Sequence, residues 1–208
     1  MDNSSKLTYL DGKGLYYSFL AGTRSLLEGQ GEINKINVFP VPDADTGSNM
    51  ASTLRTIIET ITPVSSYKQT ADAIAAAALI GARGNSGVIF AQFLFGLSNE
   101  TRNVERISLQ AFAESVKRSV QYMYEAVANP VEGTMLSVIR DWADYIYNNH
   151  SYFDDFKKMM AASMEVARES LVATAQRMRQ LTHVNVVDAG AKGFVLFLEG
   201  ILEFIKTG

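Results

Sequence analysis

At 208 residues the chain suits one well-buried domain and is short for two. A net charge of -3 with no Lys/Arg-rich run argues against nucleic acid as a partner, because phosphate-backbone binding needs a basic face. With no cysteine, disulfide scaffolds, thiolate zinc sites and thiol nucleophiles are excluded. No apolar stretch reaches membrane-spanning length and residues 1–5 carry no basic leader, so a cytoplasmic protein is expected.

The periodicity is helical almost throughout. Leu15, Phe19, Leu26 and Leu27 mark a first helix over about residues 11–30, expected to end at Gly29 and Gly31. Next comes Asn37-Val38-Phe39-Pro40-Val41-Pro42-Asp43-Ala44-Asp45-Thr46-Gly47-Ser48-Asn49-Met50. Pro40 and Pro42 stiffen the backbone and push Phe39 and Val41 toward extended conformations, so residues 37–41 are the one window with any strand character. If that geometry continues, Asp43 and Asp45 leave on the same side and repel unless a cation sits between them. Mg²⁺ takes oxygen ligands from one or two carboxylates and keeps positions for water and phosphate oxygens. Thr46, Ser48 and Asn49 then offer cap-type side chains before Met50, Leu54, Ile57 and Ile58 recur at helical spacing. Chemistry alone leaves two readings of this stretch: a capped surface turn, or a Mg–nucleotide site at a helix start.

The second helix stops before Pro63. Tyr67 to Gly81 is alanine-dense and reads as a helix that lets its neighbours approach closely. Gly81-Ala82-Arg83-Gly84-Asn85-Ser86-Gly87 precedes another helix through Val88, Phe90 and Leu94. Its glycines allow backbone N–H groups to approach an anion, although the Lys-Ser/Thr ending of a Walker A loop is missing and a helix–helix connection needing glycine is the more frequent explanation. Arg83 is open to a phosphate or a surface role. Residues 108–128 form an amphipathic helix broken by Asn129 and Pro130, and Thr134 and Met135 open the next, with Trp142 as a core residue. After Asn148-Asn149-His150, a long helix spans about residues 154–180, its Lys157, Lys158, Arg177 and Arg179 forming a solvated face. His150 and His183 lack the spaced partners of a zinc site. Finally, Val186-Val187-Asp188-Ala189-Gly190-Ala191-Lys192-Gly193 leads into a terminal helix, with Asp188 as its N-cap.

Four of these segments resemble the nucleotide-binding domain of the dihydroxyacetone kinase L-subunit (DhaL-type) family. The first is closest to the branch found in bacterial fatty acid kinases, where the pattern is Asn-Val-Tyr/Phe-Pro-Val-Pro-Asp-Gly-Asp-Thr-Gly-Thr-Asn-Met. Ala44 replaces its usual Gly, which carries a penalty if the position needs φ > 0, and Ser48 replaces a usual Thr. The same branch carries Gly-Ala-Arg-Gly-Asn-Ser-Gly, a Gly-(x)-Thr-Met-Leu element, and Val-Val-Asp-Ser/Ala-Gly-Gly-Lys-Gly. Ala191 departs from the second Gly of that last pattern, and Met178–His183 departs from a Leu/Pro/Lys-rich run.

The resemblance covers nearly the whole chain. It implies a single domain over residues 1–208, open to being the N-terminal part of a longer protein, and folded as an all-α barrel of about eight antiparallel helices with the nucleotide at one rim. It implies ATP or ADP with Mg²⁺, as a pair of ions. On this resemblance Asp43 and Asp45 are expected as the catalytic metal ligands, with Asn37 near the place of a further one. Nucleotide contacts fall to Thr46, Gly47, Ser48, Asn49, Asn85, Ser86, Thr134, Met135, Asp188 and Gly190. The reaction expected is phosphoryl transfer, which needs mostly positioning and charge neutralisation. In the fatty acid kinase branch the acyl chain arrives on a DegV-type lipid-binding partner or fused domain, and the product is an acyl phosphate. The alternatives are a dihydroxyacetone kinase subunit, against which the Val-Pro-Asp form argues, and a non-catalytic nucleotide-binding or structural module.

Overall fold

The computed structural model describes residues 6–207; residues 1–5, where the sequence shows no basic leader, and residue 208 lie outside that part. Its described residues form eight α-helices: α1 (Gly12–Lys35), α2 (Thr46–Thr60), α3 (Tyr67–Gly81), α4 (Gly84–Asn99), α5 (Leu109–Glu125), α6 (Met135–Asn149), α7 (Phe156–Thr182) and α8 (Ala189–Thr207). Each packs on the next in sequence, and α8 packs on α1, so the helices close into a ring. Short connections between side-by-side neighbours make consecutive helices antiparallel. This is the all-α architecture expected from the periodicity. None of the described helices is long and apolar enough to cross a membrane.

Antiparallel order sends the starts of α1, α3, α5 and α7 to one rim and those of α2, α4, α6 and α8 to the other. The first rim carries a small ribbon. Strand β1 (Tyr9–Asp11) pairs antiparallel with β2 (Arg106–Ser108), with Leu10 opposite Ile107. Around it, Tyr67 N–H at the start of α3 donates to Glu105 C=O (3.0 Å), and Phe156 N–H at the start of α7 donates to Leu7 C=O (2.9 Å). Asp11, Ser66, Ser108 and Asp155 cap the four helices with their side chains.

Three local expectations are corrected. The strand character of residues 37–41 does not develop: no ladder partner faces them among the described residues, whereas the ribbon's three-residue strands are too short to show a period of two. The first helix does not stop at Gly29 or Gly31 but runs to Lys35. Gly29 lies within it because a Cβ there would sit 2.5 Å from Leu196 Cδ1 of α8; packing overrides helix propensity. The glycine-rich segment is also shorter as a loop than expected, since α4 already begins at Gly84 and holds Asn85 and Ser86 in its first turn.

The seam that closes the ring is α1 against α8. Cβ atoms at Gly22 and Gly200 would lie 2.7 Å from Phe197 C=O and 2.5 Å from Ala21 C=O, so both positions bring backbone against backbone. Inside the ring Phe90, Phe93, Trp142, Phe194 and Phe197 meet edge to face, with Phe90 and Phe197 centroids 5.1 Å apart. Trp142, expected in the core, is buried and its Nε1–H donates to Ser163 Oγ at 3.1 Å. An apolar cavity of about 100 Å³ beside these rings holds none of the motif residues. Alanines 71, 75, 77 and 78 of α3 are buried, as close packing with α2 and α4 requires. Because carbonyl oxygens of α1 cannot move aside, Gly200→Val is expected to cost about 1–3 kcal/mol of stability by overpacking. Urea unfolding measures it, and an unchanged midpoint would mean that the seam has room to spare.

Candidate functional site

At the second rim four helix starts converge, each with N–H groups that have no partner within their own helix. Neighbouring side chains treat them differently. At α2, buried Asn37 accepts at Oδ1 from Thr46 N–H (2.8 Å) and Asp45 N–H (3.2 Å), and its Nδ2 donates to Val41 C=O (3.1 Å). One carboxamide thus clamps both ends of the acidic loop. Asn34 of α1 accepts from Ser48 N–H at 3.1 Å. At α6 and α8 a single buried carboxylate serves both: Asp188 Oδ1 accepts from Met135 N–H (2.9 Å) and Ala191 N–H (2.8 Å). Thr174 Oγ1 accepts from Asp188 N–H (2.9 Å) and holds it in place. Burial pushes the Asp188 carboxyl up to about 6, against the two N–H bonds that favour its charged form. The α4 start is different. Its N-cap, Arg83, makes no side-chain capping bond, and among the described residues no side chain accepts from the first-turn N–H groups of Gly84, Asn85 and Ser86. Gly84 has φ 58°, and a Cβ on it would strike Asn49 Nδ2 at 2.3 Å, which is how Asn49 joins the α2 motif to the α4 motif.

The carboxylates stand on the connection between α1 and α2. Asp43 is exposed, and Asp45, at the N-cap of α2, is half-buried and makes no side-chain capping bond. Between them Ala44 has φ 55°, the left-handed conformation anticipated for a position usually held by Gly. The strand-periodicity argument for a shared side therefore lapses, since the backbone turns between the two aspartates. No cluster of three or more Asp, Glu, His or Cys side chains suited to a metal occurs among the described residues. A hard cation held here would complete its shell with water and phosphate oxygens, which suits Mg²⁺.

Beside these elements lies a cavity of about 210 Å³, lined by Phe39, Pro40, Thr46, Asn85, Ser86, Ile89, Val127, Asn129, Val131, Thr134, Met135, Leu136, Asp188 and Gly190. Seven residues singled out from the motifs, Thr46, Asn85, Ser86, Thr134, Met135, Asp188 and Gly190, thus meet in one place despite lying up to 144 positions apart in the chain. Gly190 is their point of contact: a Cβ there would be 3.1 Å from Ser86 Oγ and 3.2 Å from Met135 Sδ. Asn37, Asp43, Asp45, Gly47, Ser48 and Asn49 do not line the cavity. Ser48 Oγ accepts from Asn34 Nδ2 (3.0 Å) and Gln30 Nε2 (3.2 Å), so its hydroxyl faces α1. Gly47 packs there too, with a Cβ 2.5 Å from Gln30 C=O. Sequence reasoning missed the apolar wall, above all Val127, Val131 and Ile89. It also missed Asn34, which carries no signal inside an ordinary helical pattern.

Residues 40–203 match the model of the DAK2 domain, and the chain belongs to that family, the DhaL type that its motifs resemble. Protein YloV of Bacillus subtilis is 35% identical over 199 residues, and an uncharacterized protein of Staphylococcus saprophyticus is 37% identical over 199. Each alignment takes in 95% of this chain and 36% of the relative, so the chain spans about a third of the length of the curated relatives it matches. Among solved structures, the dihydroxyacetone kinase from C. freundii in complex with AMP-PNP and Mg²⁺ superposes with a TM-score of 0.68 at 16% identity. That match covers 98% of this chain and 36% of the kinase, and shows a common fold.

Asp188 yields a pH signature. Its folded-state pKa, about 6, exceeds the ordinary 3.8, so the folded protein binds the proton more tightly and this group's contribution to stability grows as pH falls from above 6 toward 3.8. Denaturant unfolding of wild type and Asp188→Asn across that window is expected to differ in slope, the variant being the flatter. Parallel curves would contradict the assignment.

Proposed function

We propose that this chain is a Mg²⁺–ATP-binding kinase domain that passes the γ-phosphoryl group to an acceptor presented by a partner protein or further domain. The observation that carries the reading is the rim itself. Asn37 and Asn34 give α2, and Asp188 gives α6 and α8, at least one side-chain acceptor, while α4, next to the cavity and tied through Asn49 to the carboxylate loop, has none among the described residues. An uncapped helix N-terminus attracts phosphate, and a neighbouring pair of carboxylates attracts its counter-cation.

In this reading Asp43 and Asp45 hold Mg²⁺, a pair of ions when fully loaded, which would neutralise charge on the phosphate oxygens. Asn37 braces the loop instead of ligating, since its carboxamide is spent on backbone groups. The α4 N–H groups at Asn85 and Ser86 hold the phosphates, while Thr46 closes the cavity on the α2 side. Met135, Thr134 and Gly190, with Val127 and Val131, surround the base; a thioether and aliphatic side chains suit its flat apolar faces. Asp188 borders the cavity and, through Oδ1, holds α6 and α8 together.

The acceptor we infer is a fatty acid carboxylate carried by a DegV-type lipid-binding protein or fused domain, because the first motif takes the Val-Pro-Asp form of that branch. A carboxylate is already anionic and needs no general base. Its oxygen attacks the γ-phosphorus, the bond to ADP breaks, and an acyl phosphate forms. ATP and such an acceptor place the domain in the cytoplasm.

Titration with Mg–ATP is expected to raise the melting temperature of the chain by mass action. Absence of any shift would favour a non-catalytic structural module. Asp43→Asn is expected to weaken Mg²⁺-dependent nucleotide binding by roughly tenfold or more, the loss of one charged oxygen ligand to a hard cation; unchanged affinity would reject the metal assignment. Label transfer from ATP to fatty acid is expected with a lipid-binding partner and to be near background without one. Rapid turnover by the chain alone would overturn the need for a partner, and transfer to dihydroxyacetone would replace the acceptor.

A further inference from the structure

The connection between α5 and α6 supplies Val127, Asn129 and Val131 to one wall of the cavity. Its backbone is anchored at its ends, where Val127 N–H donates to Tyr124 C=O (3.3 Å) and Thr134 Oγ1–H donates to Val131 C=O (2.7 Å). Between these points Ala128, Asn129 and Pro130 are exposed. A segment so lightly held needs an external constraint to keep a fixed distance from a ligand.

Glu132 supplies it. This residue does not line the cavity, and both of its carboxylate oxygens are taken by protein donors. Oε1 accepts from Tyr124 Oη–H (2.8 Å) at the end of α5, and Oε2 accepts from Ser137 Oγ–H (2.6 Å) and Arg140 Nη1–H (2.5 Å) on α6. Ser137 Oγ in turn accepts from Gly133 N–H (2.7 Å). Arg140 also donates to Tyr124 Oη (3.1 Å) and to Asp141 Oδ1 (3.1 Å), and Ser170 of α7 donates to Asp141 Oδ2 (2.7 Å). One carboxylate therefore links α5, the connection, α6 and, through Asp141, α7. Partial burial raises the Glu132 carboxyl, but the bonds from Ser137, Tyr124 and Arg140 outweigh it and hold the group below the usual range. Gly133 beside it, at φ 76°, is pressed against Arg177, where a Cβ would lie 2.6 Å from Arg177 Cβ.

We propose that Glu132 is a positioning residue: by clamping the α5–α6 connection from outside, it sets the wall that recognises the nucleoside half of the ligand and leaves the phosphate half untouched. The inference rests on the nucleotide reading above. The two halves face different elements, since the phosphates meet α4 N–H groups and the base meets Val127, Val131 and Met135. Inorganic tripolyphosphate carries only the first half, so it separates the two.

The experiment is calorimetric titration of wild type, Glu132→Ala, Glu132→Gln and Tyr124→Phe with Mg–ATP and with Mg–tripolyphosphate, with melting temperatures recorded alongside. Misplacing a wall by an ångström is costly, so Glu132→Ala is expected to lose roughly tenfold in ATP affinity while tripolyphosphate stays within about twofold. Glu132→Gln, which keeps an acceptor for Arg140 and Ser137, is expected to recover most of that loss. Equal weakening of both ligands, or of neither, would overturn the proposal. If Glu132→Ala fails to fold, Tyr124→Phe carries the same comparison: selective loss of ATP affinity supports the clamp, and equal loss or none overturns it. A wild-type protein that binds neither ligand would sink the nucleotide reading itself, and a wild type that binds both tests Glu132 alone.

Discussion

A closed ring of antiparallel helices forces every second helix to begin at the same rim. Each start carries roughly half a positive charge from its unpaired N–H groups, so four of them gathered around one mouth repel each other unless acceptors are supplied. The chain supplies them unevenly. Asn37 and Asn34 serve α2, and Asp188 alone serves both α6 and α8. The α4 start has no side-chain acceptor among the described residues and opens on a left-handed glycine. Topology thus creates the positive mouth, and the choice of caps decides which of its corners stays available to an anion.

The other constraints serve that arrangement. The ring closes because α1 and α8 meet through Gly22, Gly29 and Gly200, where side chains would collide with backbone or with Leu196 and Phe197. Closure fixes the distance of α8 from α4 and α6, and so brings Gly190 within contact of Ser86 and Met135. The opposite rim is tied by a ribbon and four side-chain caps, which leaves the asymmetry between the rims complete. Charge placement follows the same division of labour. Asp188 is buried and spent on two helices, whereas Asp43 is exposed and Asp45 half-buried, both on a backbone that Asn37 holds still. A buried carboxylate with one oxygen taken by two N–H donors suits a structural post, whereas one facing solvent keeps its oxygens open to another partner.

Much of this was legible in the chain. Helical periodicity marked every α-helix among the described residues, and dense local motifs singled out seven residues that meet in the rim cavity, though not Val127, Val131 or Asn34. The Gly-to-Ala exchange at residue 44 raised the question of φ > 0 there, and the structure answers it with φ 55°; the question was legible because the penalty is a property of one residue and its Cβ. Asp188 was rightly an N-cap. Its second helix could not be foreseen, because Met135 N–H lies 53 positions away. Gly29 misled for the complementary reason: within its own segment it resembles a helix end, and only the approach of Leu196 shows why glycine is needed in mid-helix. The extended geometry inferred for Asp43 and Asp45 failed where local extrapolation crossed the left-handed residue between them.

The sequence by itself determined the helices, their order, the loop chemistry and the family, since all of these depend on residues within about two turns of one another. Only the tertiary structure decided which motif residues share a cavity and which turn away from it. It also decided that Asn37 is occupied with bracing the acidic loop and Ser48 with holding α2 against α1, and that Val127 and Val131 complete a wall. The physical reason is that a side chain's free hydrogen-bonding capacity is what remains after its neighbours in space have taken their share, and those neighbours are set by ring closure rather than by proximity along the chain.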